Sequence, residues 1–215
     1  MKFDTVIFDL DGTILDTLDD LKNSVNHALE KNNLPCRKIE EIRSFVGNGI
    51  RLLIERAVPE NTDKEIVDKC FIDFKAHYKD NSDILTKPYD GIVDVLKELK
   101  NHGIKLAVVS NKADFAVQTL VEKYFSGIFD FSVGEKEGVR RKPFPDSVFT
   151  AMDKLDSTKN TTVYVGDSEV DVETASNSGI PCIAVTWGFR DESVLEKLKP
   201  EYIIDKPEQI VKIIE

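Results

Sequence analysis

Four polar clusters each follow or adjoin a short apolar run, and their side chains suit work on a phosphoryl group. The first is Asp9-Leu10-Asp11-Gly12-Thr13, directly after Val6-Ile7-Phe8. If the chain is still extended there, Asp9 and Asp11 point the same way and face one small volume. Two carboxylates so close repel each other unless a cation or a shared proton offsets the charge. Gly12 allows a sharp turn and close approach of backbone to a ligand, and Thr13 adds a hydroxyl and an N–H. The second cluster is Ser110-Asn111, between Leu106-Ala107-Val108-Val109 and a predicted helix. A hydroxyl and N–H groups at a helix N-terminus favour an anion such as phosphate, although either residue also suits a plain helix cap. The third is Lys142, in the basic stretch Arg140-Arg141-Lys142-Pro143 of an acidic chain. Pro143 restricts the lysine backbone to extended forms, and a held ammonium is a useful point charge on a phosphoryl group. The fourth is Asp167 and Asp171, one helical turn apart after Val163-Tyr164-Val165-Gly166. Each has a plainer reading: an Asp-Gly turn, a cap, a solvated loop, or acids at a helix start. As a set of hard oxygen ligands, the acids describe magnesium better than zinc, which favours His or Cys.

The elements that carry these residues follow from hydrophobic period. Val6-Ile7-Phe8 reads as a strand buried on both faces of a parallel sheet. Thr17 suits a helix cap, with an acid three residues on at Asp20, and Leu18, Leu21, Val25, Ala28 and Leu29 continue at helical spacing. Further helices fit residues 39–45, 52–57 and 63–78, with no strand signal between Ile14 and Leu85. From Pro88 onward strands and helices alternate, with strands at 106–109, 129–133, 163–165, 182–185 and 202–204. That alternation predicts an α/β fold, a doubly wound Rossmann-like parallel sheet with right-handed crossovers. Residues 1–15 and 84–215 would form the sheet domain, and 16–83 an inserted helical cap domain. Because the insert leaves just after Asp9 and Asp11, it is expected to hang over the carboxyl edge of the first strand as a lid.

Composition narrows the classes. The chain has 215 residues, 41% of them hydrophobic, enough for a sizeable core. Its net charge of −10 argues against general nucleic-acid binding. No apolar run approaches the ~20 residues of a membrane span, and Met1-Lys2-Phe3-Asp4 lacks the pattern of a signal peptide. Cys36, Cys70 and Cys182 are odd in number and widely spaced, and so read as free thiols of a reducing compartment. The expectation is a cytoplasmic monomer or homodimer acting on a small-molecule phosphate ester, with no nucleic-acid or membrane partner.

With these motifs in order, the chain resembles the haloacid dehalogenase-like phosphatases along its whole length. Asp9-Leu10-Asp11-Gly12-Thr13 looks like their first motif and Ser110-Asn111 like the second. Lys142-Pro143 with Pro145 looks like the third, and Gly166-Asp167 with Asp171 like the fourth. The insert is placed like the helical cap of their first cap class. Val46-Gly47-Asn48-Gly49-Ile50 followed by Glu55-Arg56-Ala57 resembles the phosphoglycolate phosphatase branch, whose relatives include pyrophosphatases, nucleotide and sugar-phosphate phosphatases and sugar phosphomutases. The resemblance implies Asp9 as nucleophile and Asp11 as general acid and base. It implies Mg2+ on the Asp9 carboxylate, the Asp11 main-chain carbonyl and Asp167, with Asp171 in support. It further implies Gly12, Thr13, Ser110, Asn111 and Lys142 as contacts to substrate phosphate. Asn48, with Arg43, is a candidate substrate reader in the cap. A non-enzymatic reading, a phosphate-binding regulatory protein, would be favoured by Asn or Ser at position 9 or 11, and neither occurs.

Overall fold

The computed structural model describes residues 2–215. In chain order the elements are β1 (Thr5–Phe8), β2 (Leu15–Asp16), α1 (Leu18–Lys31), α2 (Ile39–Phe45), α3 (Ile50–Ala57), α4 (Lys64–Asn81), β3 (Lys87–Pro88), α5 (Ile92–Asn101), β4 (Lys105–Ala113), α6 (Asp114–Phe125), β5 (Phe131–Glu135), α7 (Asp146–Lys154), β6 (Thr162–Gly166), α8 (Glu169–Ser178), β7 (Cys182–Val185), α9 (Glu192–Leu198), β8 (Tyr202–Ile204) and α10 (Glu208–Ile214). Six strands form one parallel sheet in the order β5-β4-β1-β6-β7-β8. The chain builds outward from β1 through β4 to β5, then returns to β1's other side for β6, β7 and β8. The strand order therefore reverses beside β1, at the switch point where open α/β sheets bind ligands.

The uninterrupted apolar run of β1 has a direct cause. Val6 and Phe8 join one core, with residues of α5, α6 and α10, whereas Ile7 joins the other, with residues of α7, α8 and α9. The same alternation splits Val163 and Val165 from Tyr164 on β6. Both faces of the sheet are covered, so neither face of a central strand is polar. Among the described residues, no helix is long and apolar enough to cross a membrane.

The chain divides into two compact units: residues up to Leu15 with Pro88–Glu215, and Asp16–Lys87. In the second unit α1 buries Leu21, Val25, Ala28 and Leu29, and α4 buries Val67, Cys70, Phe74 and Tyr78. Residues 84–87 fall in this unit, past the boundary expected at 84, and Asp20 supplies a physical reason. Thr17 occupies the N-cap of α1 but its hydroxyl makes no capping bond. The expected capping box is absent because the Asp20 carboxylate is used elsewhere. It accepts the N–H of Leu85 at 3.0 Å and, at 2.8 Å each, the N–H and hydroxyl of Thr86. The returning chain is thereby tied to α1.

Asp20→Ala would leave those donors without their acceptor in a buried setting, at a cost of about 3 kcal/mol. Denaturant unfolding should register that loss, while Asp19→Ala, at an exposed position beside it, should change stability by less than about 0.5 kcal/mol.

Candidate active site

The site is built at the carboxyl ends of β1, β4 and β6. Asp9 keeps the strand register for one residue beyond β1, its N–H donating to Val165 O at 2.9 Å. The chain then turns at once: Leu10 O accepts the N–H groups of Thr13, Ile14 and Leu15. The extended geometry expected to align Asp9 with Asp11 is therefore absent, and each acid meets its own lysine. Gly12 has φ +82°, and a Cβ there would lie 2.5 Å from Asp167 Oδ2. Only glycine fits both the backbone angle and the approach. The Thr13 hydroxyl donates to Asp167 Oδ1 at 3.0 Å, its N–H goes to Leu10 O, and the Gly12 N–H goes to Leu15 O. The donors expected to meet substrate on Gly12 and Thr13 are thus occupied within the protein. These residues hold the turn and Asp167 in place.

β4 also departs from expectation. It runs on to Ala113, and α6 begins at Asp114, so Ser110 and Asn111 are not at a helix N-terminus. Val109 opposes Val133 and Ala113 opposes Glu135, a register shift that makes β4 bulge between them. Bulges of this kind re-aim side chains beside active sites. Ser110 Oγ accepts the Lys112 N–H at 3.3 Å. Asn111 clamps the backbone of Lys142: its Oδ1 accepts the Lys142 N–H at 2.9 Å and its Nδ2 donates to Lys142 O at 3.0 Å. The Lys142–Pro143 peptide is cis.

Lys142 Nζ lies 2.9 Å from Asp9 Oδ1 and 2.8 Å from Asp171 Oδ1, and donates to the Tyr164 hydroxyl at 3.0 Å. That hydroxyl donates in turn to Val109 O. Asp171 Oδ2 accepts the N–H groups of Asp167 and Ser168 and the Ser168 hydroxyl. Asp171 thus caps α8 and pairs with Lys142 at once, so the plain and the chemical readings of this acid both hold. Asp167 Oδ2 accepts the Phe189 N–H at 2.7 Å. Lys112 Nζ is 2.9 Å from Asp11 Oδ1.

Burial drives the protonation of this cluster. It pushes the Asp9 carboxyl up to about 7, against the pull of Lys142 and with help from Asp171 and Asp11. Burial likewise holds Asp167 well above the ordinary carboxylate range, with Asp171 and Asp9 adding to the shift. Burial disfavours the Lys142 ammonium, but Asp171 and Asp9 outweigh it and hold the lysine well above its usual value. Carboxylate oxygens of Asp9, Asp167 and Asp171 lie within 4.8 Å of one another. Asp9 Oδ1 is buried with no directed hydrogen bond, although Lys142 is close. Counting Asp11, four carboxyl groups face two ammonium groups, so ionising all four would leave two negative charges without a partner. An oxygen donor set with that deficit fits a divalent cation of the hard type. Asp171 is the least suited ligand, since its oxygens are already met by donors.

Lys112 and Tyr164 were not marked by sequence reasoning. A tyrosine amid valines on a doubly buried strand does carry a signal, because a buried hydroxyl needs a partner. Lys112 carried none without the bulge of β4. Asn48, in the turn between α2 and α3, and Arg43 on α2 both lie in the second unit. Trp187 donates to Thr13 O at 3.0 Å and packs against the sheet core.

A family model described as haloacid dehalogenase-like hydrolase matches residues 6–185. The chain belongs to that family. Within it, this hydrolase is 29% identical to the phosphoglycolate phosphatase of Aquifex aeolicus, over 98% of this chain and 96% of that one. It is 35% identical to a Caldanaerobacter subterraneus protein named "Putative pyrophosphatase PpaX", over 100% and 96%. Among solved structures, a "putative phosphoglycolate phosphatase" from Lactobacillus delbrueckii is 39% identical, with a TM-score of 0.95 and coverage of 100% of this chain and 99% of that one.

Gly12→Ala should lower stability by about 3 kcal/mol, from backbone strain plus overlap with Asp167. Gly103 has φ +79° with open space around it, so Gly103→Ala should cost only about 1 kcal/mol. Denaturant unfolding of both variants checks the difference.

Proposed function

We propose that this hydrolase is a magnesium-dependent phosphatase that cleaves a small organic phosphate monoester through an aspartyl-phosphate on Asp9. 2-Phosphoglycolate is the first candidate substrate. The observation that carries the reading is the placement of Asp9: a strand-end carboxylate beside Asp167, with the Lys142 ammonium 2.9 Å away.

In this reading Asp9 attacks phosphorus, the Asp9 O–P bond forms and the ester P–O bond breaks. Asp11 gives its proton to the leaving oxygen, then takes one from the water that cleaves the aspartyl-phosphate. Lys142 and the Ser110 hydroxyl meet charge on the transferring group, and Asn111 keeps Lys142 in place. The Asp9 carboxylate, the Asp11 main-chain carbonyl and Asp167 would hold magnesium, with Asp171 supporting them through Lys142 and the start of α8. Magnesium would supply charge neutralisation on the phosphoryl oxygens. Positioning and electrostatics carry most phosphoryl transfer. The helical unit would act as the cap, with Asn48 and Arg43 reading the substrate. Three free cysteines suit a cytoplasmic enzyme.

A second reading, inorganic pyrophosphatase, is favoured by the relative with 35% identity. One assay separates the two: phosphate release with magnesium from 2-phosphoglycolate, pyrophosphate, sugar phosphates and nucleoside monophosphates. The expected result is a preference for 2-phosphoglycolate, with Asp9→Asn at least ~10³-fold slower and still folded. Near-normal release by Asp9→Asn would remove Asp9 as nucleophile, and a preference for pyrophosphate would establish the second reading.

A further inference from the structure

We propose that Lys112 is a positioning residue for Asp11, holding its carboxyl group for proton transfer to the leaving oxygen; the inference rests on the phosphatase reading above. Lys112 is the second buried lysine of the site, and its contacts differ from those of Lys142. Its Nζ lies 2.9 Å and 3.3 Å from the two oxygens of Asp11. The Lys112 side chain is 3% exposed, against 15% for Asp11. The partly open member of the pair is thus the acid, and the closed member is the ammonium behind it.

The backbone explains how a lysine comes to stand there. The bulge between Val109 and Ala113 lets residues 110–112 depart from the regular pleat. The Lys112 N–H is held by Ser110 Oγ, and Asn111 is bound to Lys142. One irregular segment therefore ties down both lysines of the site. Burying an ammonium costs several kcal/mol unless an acid meets it, so the pair is strongly coupled and Asp11 has little freedom to swing.

A residue acting through the general acid should matter in proportion to how much the leaving group needs a proton. An alkoxide leaves poorly without one, whereas p-nitrophenolate leaves well unaided. The test compares kcat/KM, which covers steps up to release of the alcohol, for 2-phosphoglycolate and p-nitrophenyl phosphate. Lys112→Met should lose ~10²-fold with the alkyl ester, within the range of general acid catalysis, and less than ~5-fold with the aryl ester. For the alkyl ester the loss should lie in kcat, with KM within ~3-fold. Because Asp11 also activates water, Lys112→Met should show a burst of p-nitrophenol before a slower steady state. The ratio between esters is measured on one sample, so partial unfolding cancels from it. Asp11→Asn provides a second check: adding Lys112→Met to it should cost little more, because the two act as a unit.

An equal loss with both esters, or a loss confined to KM, would overturn the proposal and make Lys112 a phosphate contact or a structural residue. Full additivity with Asp11→Asn would overturn it as well. If the unaltered enzyme released phosphate from no ester, the phosphatase reading itself would fall, and this inference with it.

Discussion

The packing of four carboxyl groups, three of them buried, against two buried ammonium groups is the constraint on which the site depends. Buried acids without partners shift toward the neutral form, and Asp9 and Asp167 do so. Lys142 offsets part of the charge by bridging Asp9 and Asp171, while Lys112 is paired with Asp11. Fully ionised, the cluster at the edge of the parallel sheet would carry two negative charges too many. A parallel order in which β1 lies between β4 and β6 makes such a cluster possible, since three carboxyl ends open on one crevice.

The supporting contacts are economical. Asp171 accepts the donors at the start of α8 and still holds Lys142. Asn111 clamps the lysine backbone, and Tyr164 meets its Nζ from within β6. Thr13 and the Phe189 N–H share Asp167. Asp167, Asp171 and Lys142 are therefore each oriented by more than one polar contact. Such support is what keeps a catalytic constellation within a few tenths of an ångström of working geometry.

Much of this was legible in the chain. The run Val6-Ile7-Phe8 reads as a doubly buried strand because it is one, Cys182-Ile183-Ala184-Val185 reads as a strand, and the acids after β1 and β6 stand out by position. Other features were hidden by tertiary context. Asp20 has the spacing of a capping box, but Leu85 and Thr86, distant in sequence, claim its carboxylate. Ser110 and Asn111 looked like a helix start because nothing local reveals that β4 bulges and continues. Lys112 was overlooked for the same reason. Gly12 and Thr13 looked like phosphate contacts, yet their donors close a turn whose partners only folding brings near.

The most direct measurement is heat unfolding with and without magnesium at two pH values. Folded Asp9 holds its proton up to about 7, from an ordinary value of 3.8. The stability it contributes is therefore complete below that ordinary value and is lost as pH rises through about 7. A bound divalent cation would replace that proton, so its effect should grow with pH. At a magnesium concentration near a hundred times Kd, Tm should rise by roughly 5 °C at pH 7.5, and by less at pH 5. Asp167→Asn should remove most of the rise. An unchanged Tm at both pH values, or an equal rise in Asp167→Asn, would contradict the claim that this carboxylate cluster is completed by a divalent cation.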